Sequence, residues 1–149
     1  MLKMKPWLFN TICLIMTIFL ITNNALEIPE HLRKHARRIH KRCQNQSDTP
    51  EAVIKESLKG GLPNNKNFEC YIQCLFDIMG IMDESNTIHI DNLLQILPEE
   101  MHPMVTMLSQ ACGTKDGDGK CNIAFNTMQC YVENNPTIIK DQFEFLFGN

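Results

Sequence analysis

The chain has 149 residues, with 14 basic against 17 acidic side chains, a net charge of −3 and seven cysteines. That length suits one small domain and not two. The acidic balance leaves no electrostatic footprint for nucleic acid or for an anionic membrane surface.

The first stretch is MLKMKPWLFNTICLIMTIFLITNNA, in which Lys3 and Lys5 precede an almost unbroken apolar run from Trp7 to Ile21. This is the pattern of a secretory signal peptide over residues 1–25, cleaved after Ala25. A transmembrane anchor fits less well, because the run is short for a span and nothing basic follows it directly. With no second such run, no stable membrane association is expected. Removing residues 1–25 from the 149 leaves 124, and the loss of Lys3 and Lys5 leaves 12 basic against 17 acidic residues, a net of −5. Trp7, the only tryptophan, and Cys13 go too. Cys43, Cys70, Cys74, Cys112, Cys121 and Cys130 remain. An even number of cysteines in a small secreted chain reads as disulfides, and the residues alone leave the connectivity open.

Leu26 to Arg42 reads as a first helix, with Pro29 in its first turn and Leu32, Ala36 and Ile39 as an apolar stripe. Its opposite side carries His31, Arg33, Lys34, Arg37, Arg38 and Lys41, which reads first as a solvated face. Asn45-Gln46-Ser47 is an N-glycosylation sequon, expected in a loop. Ser47 to Glu51 has the make-up of a helix start, a capping residue followed by Pro50 near the first turn and then an acid, for a helix that runs to about Leu58 and is ended by Gly60-Gly61.

Phe68 to Met82, FECYIQCLFDIMGIM, is the stretch around which the rest is expected to pack. Phe68, Ile72, Leu75, Phe76 and Met79 recur at helical spacing, so a mostly buried helix capped by Asn67 and weakening at Gly80 is predicted. Cys70 and Cys74 share one face of it, and cysteines so placed seldom bridge each other. Each therefore needs a partner on another element.

Asp83 to His89 is polar and loop-like. Asp91 then caps a short helix carrying Leu93, Leu94, Ile96 and Leu97, which Pro98 stops. Glu99-Glu100 begin the next helix, where Met101, Met104, Val105, Leu108 and Cys112 form one stripe. After a glycine-rich loop, a last helix runs from about Lys120 to Asn134, with Cys121 and Cys130 on opposite sides. The tail after Pro136 holds Ile138, Ile139, Phe143, Phe145, Leu146 and Phe147, too much apolar area to leave in water, so it is expected to dock. The expected fold is all-α, with about six helices, cross-linked by disulfides and without an internal repeat.

Asp116-Gly117-Asp118-Gly119 resembles a fragment of an EF-hand loop, but position 114 is Thr and no acid follows between Ile123 and Met128. A tight turn between two cysteines explains it better. No pair of cysteines has zinc-ligand spacing, and His31 and His35, though four apart, lie on an exposed basic face. No metal or cofactor is expected. Nucleophile elbow, phosphate loop and paired carboxylates are all missing, and a secreted phospholipase would place a His beside a cysteine near a calcium loop, as this chain does not. The reading is non-catalytic. The methionines left after cleavage, Met79, Met82, Met101, Met104, Met107 and Met128, are flexible and polarisable. With Phe76, Phe125 and the tail phenylalanines they could line a cavity for a flexible apolar molecule, or simply fill a core.

The intervals Cys43-x26-Cys70-x3-Cys74-x37-Cys112-x8-Cys121-x8-Cys130 resemble the six-cysteine signature of insect odorant-binding proteins of the pheromone/general odorant-binding family. The resemblance covers essentially all of residues 26–149. It implies six helices around an apolar cavity, and the pairing Cys43–Cys74, Cys70–Cys121 and Cys112–Cys130. It implies a secreted carrier, monomer or weak homodimer, that binds small hydrophobic volatiles or pheromones in sensillum lymph and carries them toward an olfactory receptor or co-receptor. In related proteins the tail, here residues 136–149, can cover or enter the cavity, which makes Phe143, Phe145, Leu146 and Phe147 candidates for a lid. Asp141 and Glu144 flank them, and their protonation at low pH is expected to loosen the tail. The candidate wall is Phe76, Met79, Ile81, Leu93, Leu97, Met101, Met104, Val105, Leu108, Phe125 and Met128, with Thr106, Thr127 and Tyr131 as polar groups to orient a ligand. Two alternatives stand beside this one. The first is the same scaffold carrying hydrophobic compounds outside olfaction. The second is a solid-core signalling or toxin-like protein acting through its surface.

Overall fold

A computed structural model describes residues 30–59 and 61–136. The expected signal peptide, Pro29 and the tail from residue 137 onward lie outside those residues. Among the described residues there are six α-helices: α1 (Glu30–Ser47), α2 (Glu51–Ser57), α3 (Lys66–Ile78), α4 (Asp91–Ile96), α5 (His102–Cys112) and α6 (Lys120–Asn134). A 3-10 turn, Glu99–Met101, leads into α5. No helix among them is long and apolar enough to cross a membrane.

The central stretch is indeed the core helix. Phe68, Tyr71, Ile72, Cys74, Leu75 and Phe76 of α3 are all buried, and α3 packs against both α6 and α1. Each large apolar side chain so buried gains roughly 1.5–3 kcal/mol over exposure. The three disulfides are Cys43–Cys74, Cys70–Cys121 and Cys112–Cys130, with Cα separations of 5.5, 4.5 and 5.8 Å. Neighbouring cysteines on α3 thus staple it in two directions, to α1 and to the start of α6.

Several boundaries differ from expectation. The cap of α3 is Asn65, not Asn67: Asn65 has the extended backbone a cap needs, and its side chain accepts from Phe68 N–H at 3.0 Å. Asn67 lies inside the first turn and donates instead to the Asp48 carbonyl at 3.0 Å. α1 runs on through the sequon, so Asn45 is an exposed residue of its last turn rather than of a loop. No side chain caps α2: Pro50 holds the cap position, and the Ser47 hydroxyl donates back to the Cys43 carbonyl at 2.8 Å. Asp91 is the first residue of α4 and not its cap.

The central helix also stops earlier than Met82. The N–H of Gly80 donates to the Asp77 carbonyl at 3.1 Å, and that of Ile81 to the Phe76 carbonyl at 2.8 Å. This is a Schellman ending, which needs a left-handed residue after the cap, and Gly80 supplies it with φ +65°. The chain then doubles back in a short turn closed by a single antiparallel bridge between Met82 and Ile88. Asp83 organises that turn. Its carboxylate accepts from Ser85 Oγ at 2.7 Å and Thr87 N–H at 2.8 Å, and lies 2.8 Å from His89 Nε2. Those bonds, Ser85 first, hold the Asp83 carboxyl well below the usual carboxylate range.

Gly117 marks a close approach in the loop before α6. A Cβ there would meet Asn122 Oδ1 at 2.7 Å and Ile123 N at 2.8 Å. Among the described residues no group of His, Cys, Asp and Glu is arranged to hold a metal ion.

Candidate functional site: an apolar cavity between five helices

α3, α5 and α6 turn their apolar stripes toward one space, α1 closes its side, and α4 forms the lip. The result is a cavity of about 630 Å³. That volume falls within the range that small-molecule sites occupy. Phe76, Met79, Ile81, Leu93, Leu97, Met101, Met104, Val105, Leu108, Met128 and Tyr131, all singled out in the sequence, line it. Gly80 belongs to the same wall, so the turn that ends α3 also shapes the cavity.

Three expected wall residues are elsewhere. Phe125 packs in the core beside Phe68, with ring centroids 6.5 Å apart in an edge-to-face arrangement. Thr127 is fully buried, but its hydroxyl accepts from Lys115 N–H at 3.0 Å and ties the glycine-rich loop to α6. Thr106 does not line the cavity either. Of the methionines, Met82 is in the core and Met107 is 55% exposed. Phe143, Phe145 and Phe147, with Asp141 and Glu144, lie outside the described residues.

Sequence reasoning missed one side of the wall. Leu32, His35, Ala36 and Ile39 of α1 line the cavity. The stripe of Leu32, Ala36 and Ile39 is visible in the sequence as the inner face of an amphipathic helix, but nothing in that pattern tells a wall from a packed core. α4 was missed in part: Asn92, Gln95 and Ile96 also line the opening, and Ile96 is 52% exposed there.

The electrostatics of the wall are simple. Among the described residues it contains no Lys, Arg, Asp or Glu. His35, Asn92 and Gln95 are exposed, and the Asn92 amide donates to the Gly80 carbonyl at 3.1 Å. Tyr131 is the remaining polar residue. Its hydroxyl is buried without a hydrogen-bond partner among the described residues, and burial pushes its pKa up. Such a lining can desolvate and hold a molecule.

Comparison with known proteins agrees. The PBP/GOBP family model matches residues 25–134. General odorant-binding protein 69a of Drosophila melanogaster is 34% identical over 128 residues, covering 85% of this chain and 86% of its own. The crystal structure of a medfly odorant-binding protein is 37% identical with a TM-score of 0.69, covering 75% of this chain and 97% of that one. Odorant-binding protein 7 of Anopheles gambiae, solved with four disulfide bridges in complex with an azo compound, is 33% identical with a TM-score of 0.71, covering 77% and 94%.

Proposed function

Since the chain belongs to the PBP/GOBP family, we propose that it is a secreted carrier that takes small hydrophobic odorants or pheromones into this cavity and bears them through sensillum lymph to olfactory receptors. The family is one of binding proteins, and no catalytic family is indicated. The observation that carries the reading is an uncharged, apolar cavity of about 630 Å³ walled by five helices. The solid-core alternative expected no such space. The azo compound held by the mosquito relative supports a ligand of this general kind. Secretion rests on the amino-terminal signal pattern and on three disulfides, which need an oxidising compartment. The wall residues are proposed as the ligand contacts, the carrier acting as a monomer or weak homodimer.

The test is a titration of the oxidised protein with N-phenyl-1-naphthylamine, followed by displacement with a panel of volatiles. Residues 26–149 hold no tryptophan, so the probe's emission is read against a quiet background. Saturable binding near micromolar concentration, displaced by some volatiles and not by others, is the expected result. Absence of saturable binding by a correctly oxidised sample would remove the carrier reading.

A further inference from the structure

The polar groups of the wall differ in what they have left to bond. Asn92 already donates to the Gly80 carbonyl, and His35 and Gln95 are exposed to water. The nearest hydroxyl in sequence, that of Thr127, faces away and accepts from Lys115 N–H. Tyr131 is different: its hydroxyl is buried and has no partner among the described residues, while its side chain lines the cavity. A buried hydroxyl without a partner is costly, and a cavity occupant that reaches it, once the side chains covering it shift, relieves that cost.

Resting on the carrier reading, we propose that Tyr131 is the ligand's hydrogen-bond partner, and that the cavity selects neutral oxygenated hydrocarbons such as ketones, aldehydes and esters over plain hydrocarbons and carboxylates. The direction of the bond follows from chemistry. Burial keeps the phenol protonated, so its O–H donates and the ligand supplies the acceptor. Neutrality follows from the wall, which among the described residues has no Lys or Arg to pair a carboxylate brought out of water. Met104 and Met128 share the wall with Tyr131. Both are flexible, so a carbonyl can approach the hydroxyl by side-chain movement alone.

The test compares the oxidised protein with Tyr131→Phe, which keeps the ring and removes only the oxygen. Because that oxygen has no partner, the variant should melt at the same temperature or slightly higher. Displacement of N-phenyl-1-naphthylamine is then measured with n-decane, decan-2-one and decanoate at pH 7. Decan-2-one should weaken by about fivefold to tenfold in the variant, the worth of one such bond, while n-decane stays the same or improves. Decanoate should compete worse than decan-2-one against the unmodified protein. If decan-2-one binds both proteins alike, if decanoate outcompetes it, or if the variant melts well below the parent, the assignment of Tyr131 is overturned and the carrier reading stands. If the probe itself does not bind, both fall together.

Discussion

His40 sits where α1, α2 and α3 meet, with polar contacts to the other two helices. Its Nδ1 lies 2.8 Å from the Tyr71 hydroxyl and its Nε2 lies 3.8 Å from Glu51. Burial disfavours the imidazolium and lowers the pKa from 6.5, with Glu51 opposing. The neutral ring therefore suits this position: Nδ1 accepts from Tyr71 O–H while Nε2–H is turned to the carboxylate. The sign of the pH effect follows. With the folded pKa below 6.5, the unfolded chain binds the proton more readily, so stability is full above 6.5 and declines as pH falls from there toward the folded value. His40→Gln keeps an acceptor for Tyr71 but cannot titrate. Urea midpoints measured at pH 7.5 and pH 5 should therefore differ less in the variant than in the parent. An equal difference in both would show that His40 is not the group responsible.

At the scale of elements, the end of α3 sets the mouth of the cavity, and one residue sets that end. Gly80 holds φ +65°, and a Cβ there would meet Asn92 Nδ2 at 2.7 Å. Gly80→Ala would strain the backbone and break the bond from Asn92 to the Gly80 carbonyl. A loss of about 1–2 kcal/mol is expected from the left-handed conformation alone, read as a lower urea midpoint. An unchanged midpoint would mean that the turn can relax without cost. The existence of this helix, its burial and its ending near Gly80 were legible because the apolar spacing and a glycine are local signals. The ending at Ile78 rather than Met82 was not, because Ile81 and Met82 are as apolar as the helix itself and their burial comes from the turn that follows. Asn65 and Asn67 illustrate the same limit. Either suits a cap, and the choice depends on backbone angles that the route from α2 determines. The stripe of α5 was legible throughout, and the wall role of α1 was not, since a stripe says only which side faces inward. Whether it meets side chains or a void is decided by how the other helices are held apart.

What holds them apart at the scale of the molecule is the set of disulfides, and stability and binding should depend on them differently. Loop-closure entropy makes a cross-link worth more when it closes a longer loop, typically about 2–4 kcal/mol. The sequence separations are 51 for Cys70–Cys121, 31 for Cys43–Cys74 and 18 for Cys112–Cys130. Replacing Cys70 and Cys121 by Ser should therefore lower stability most, and replacing Cys112 and Cys130 least, with about 1 kcal/mol between them. Ligand affinity follows geometry instead. Cys43–Cys74 fixes α1, the helix whose Leu32, Ala36 and Ile39 close one side of the cavity, against α3. Cys70–Cys121 joins α3 to the first turn of α6, about two turns from Met128 and nearly three from Tyr131. Cys43→Ser with Cys74→Ser should thus cost less stability than Cys70→Ser with Cys121→Ser but weaken probe binding more. Urea unfolding and probe titration of the two double variants, at a temperature where both stay folded, separate the effects. If the two losses rank in the same order, the cavity depends on overall stability alone and α1 is not an independently held wall.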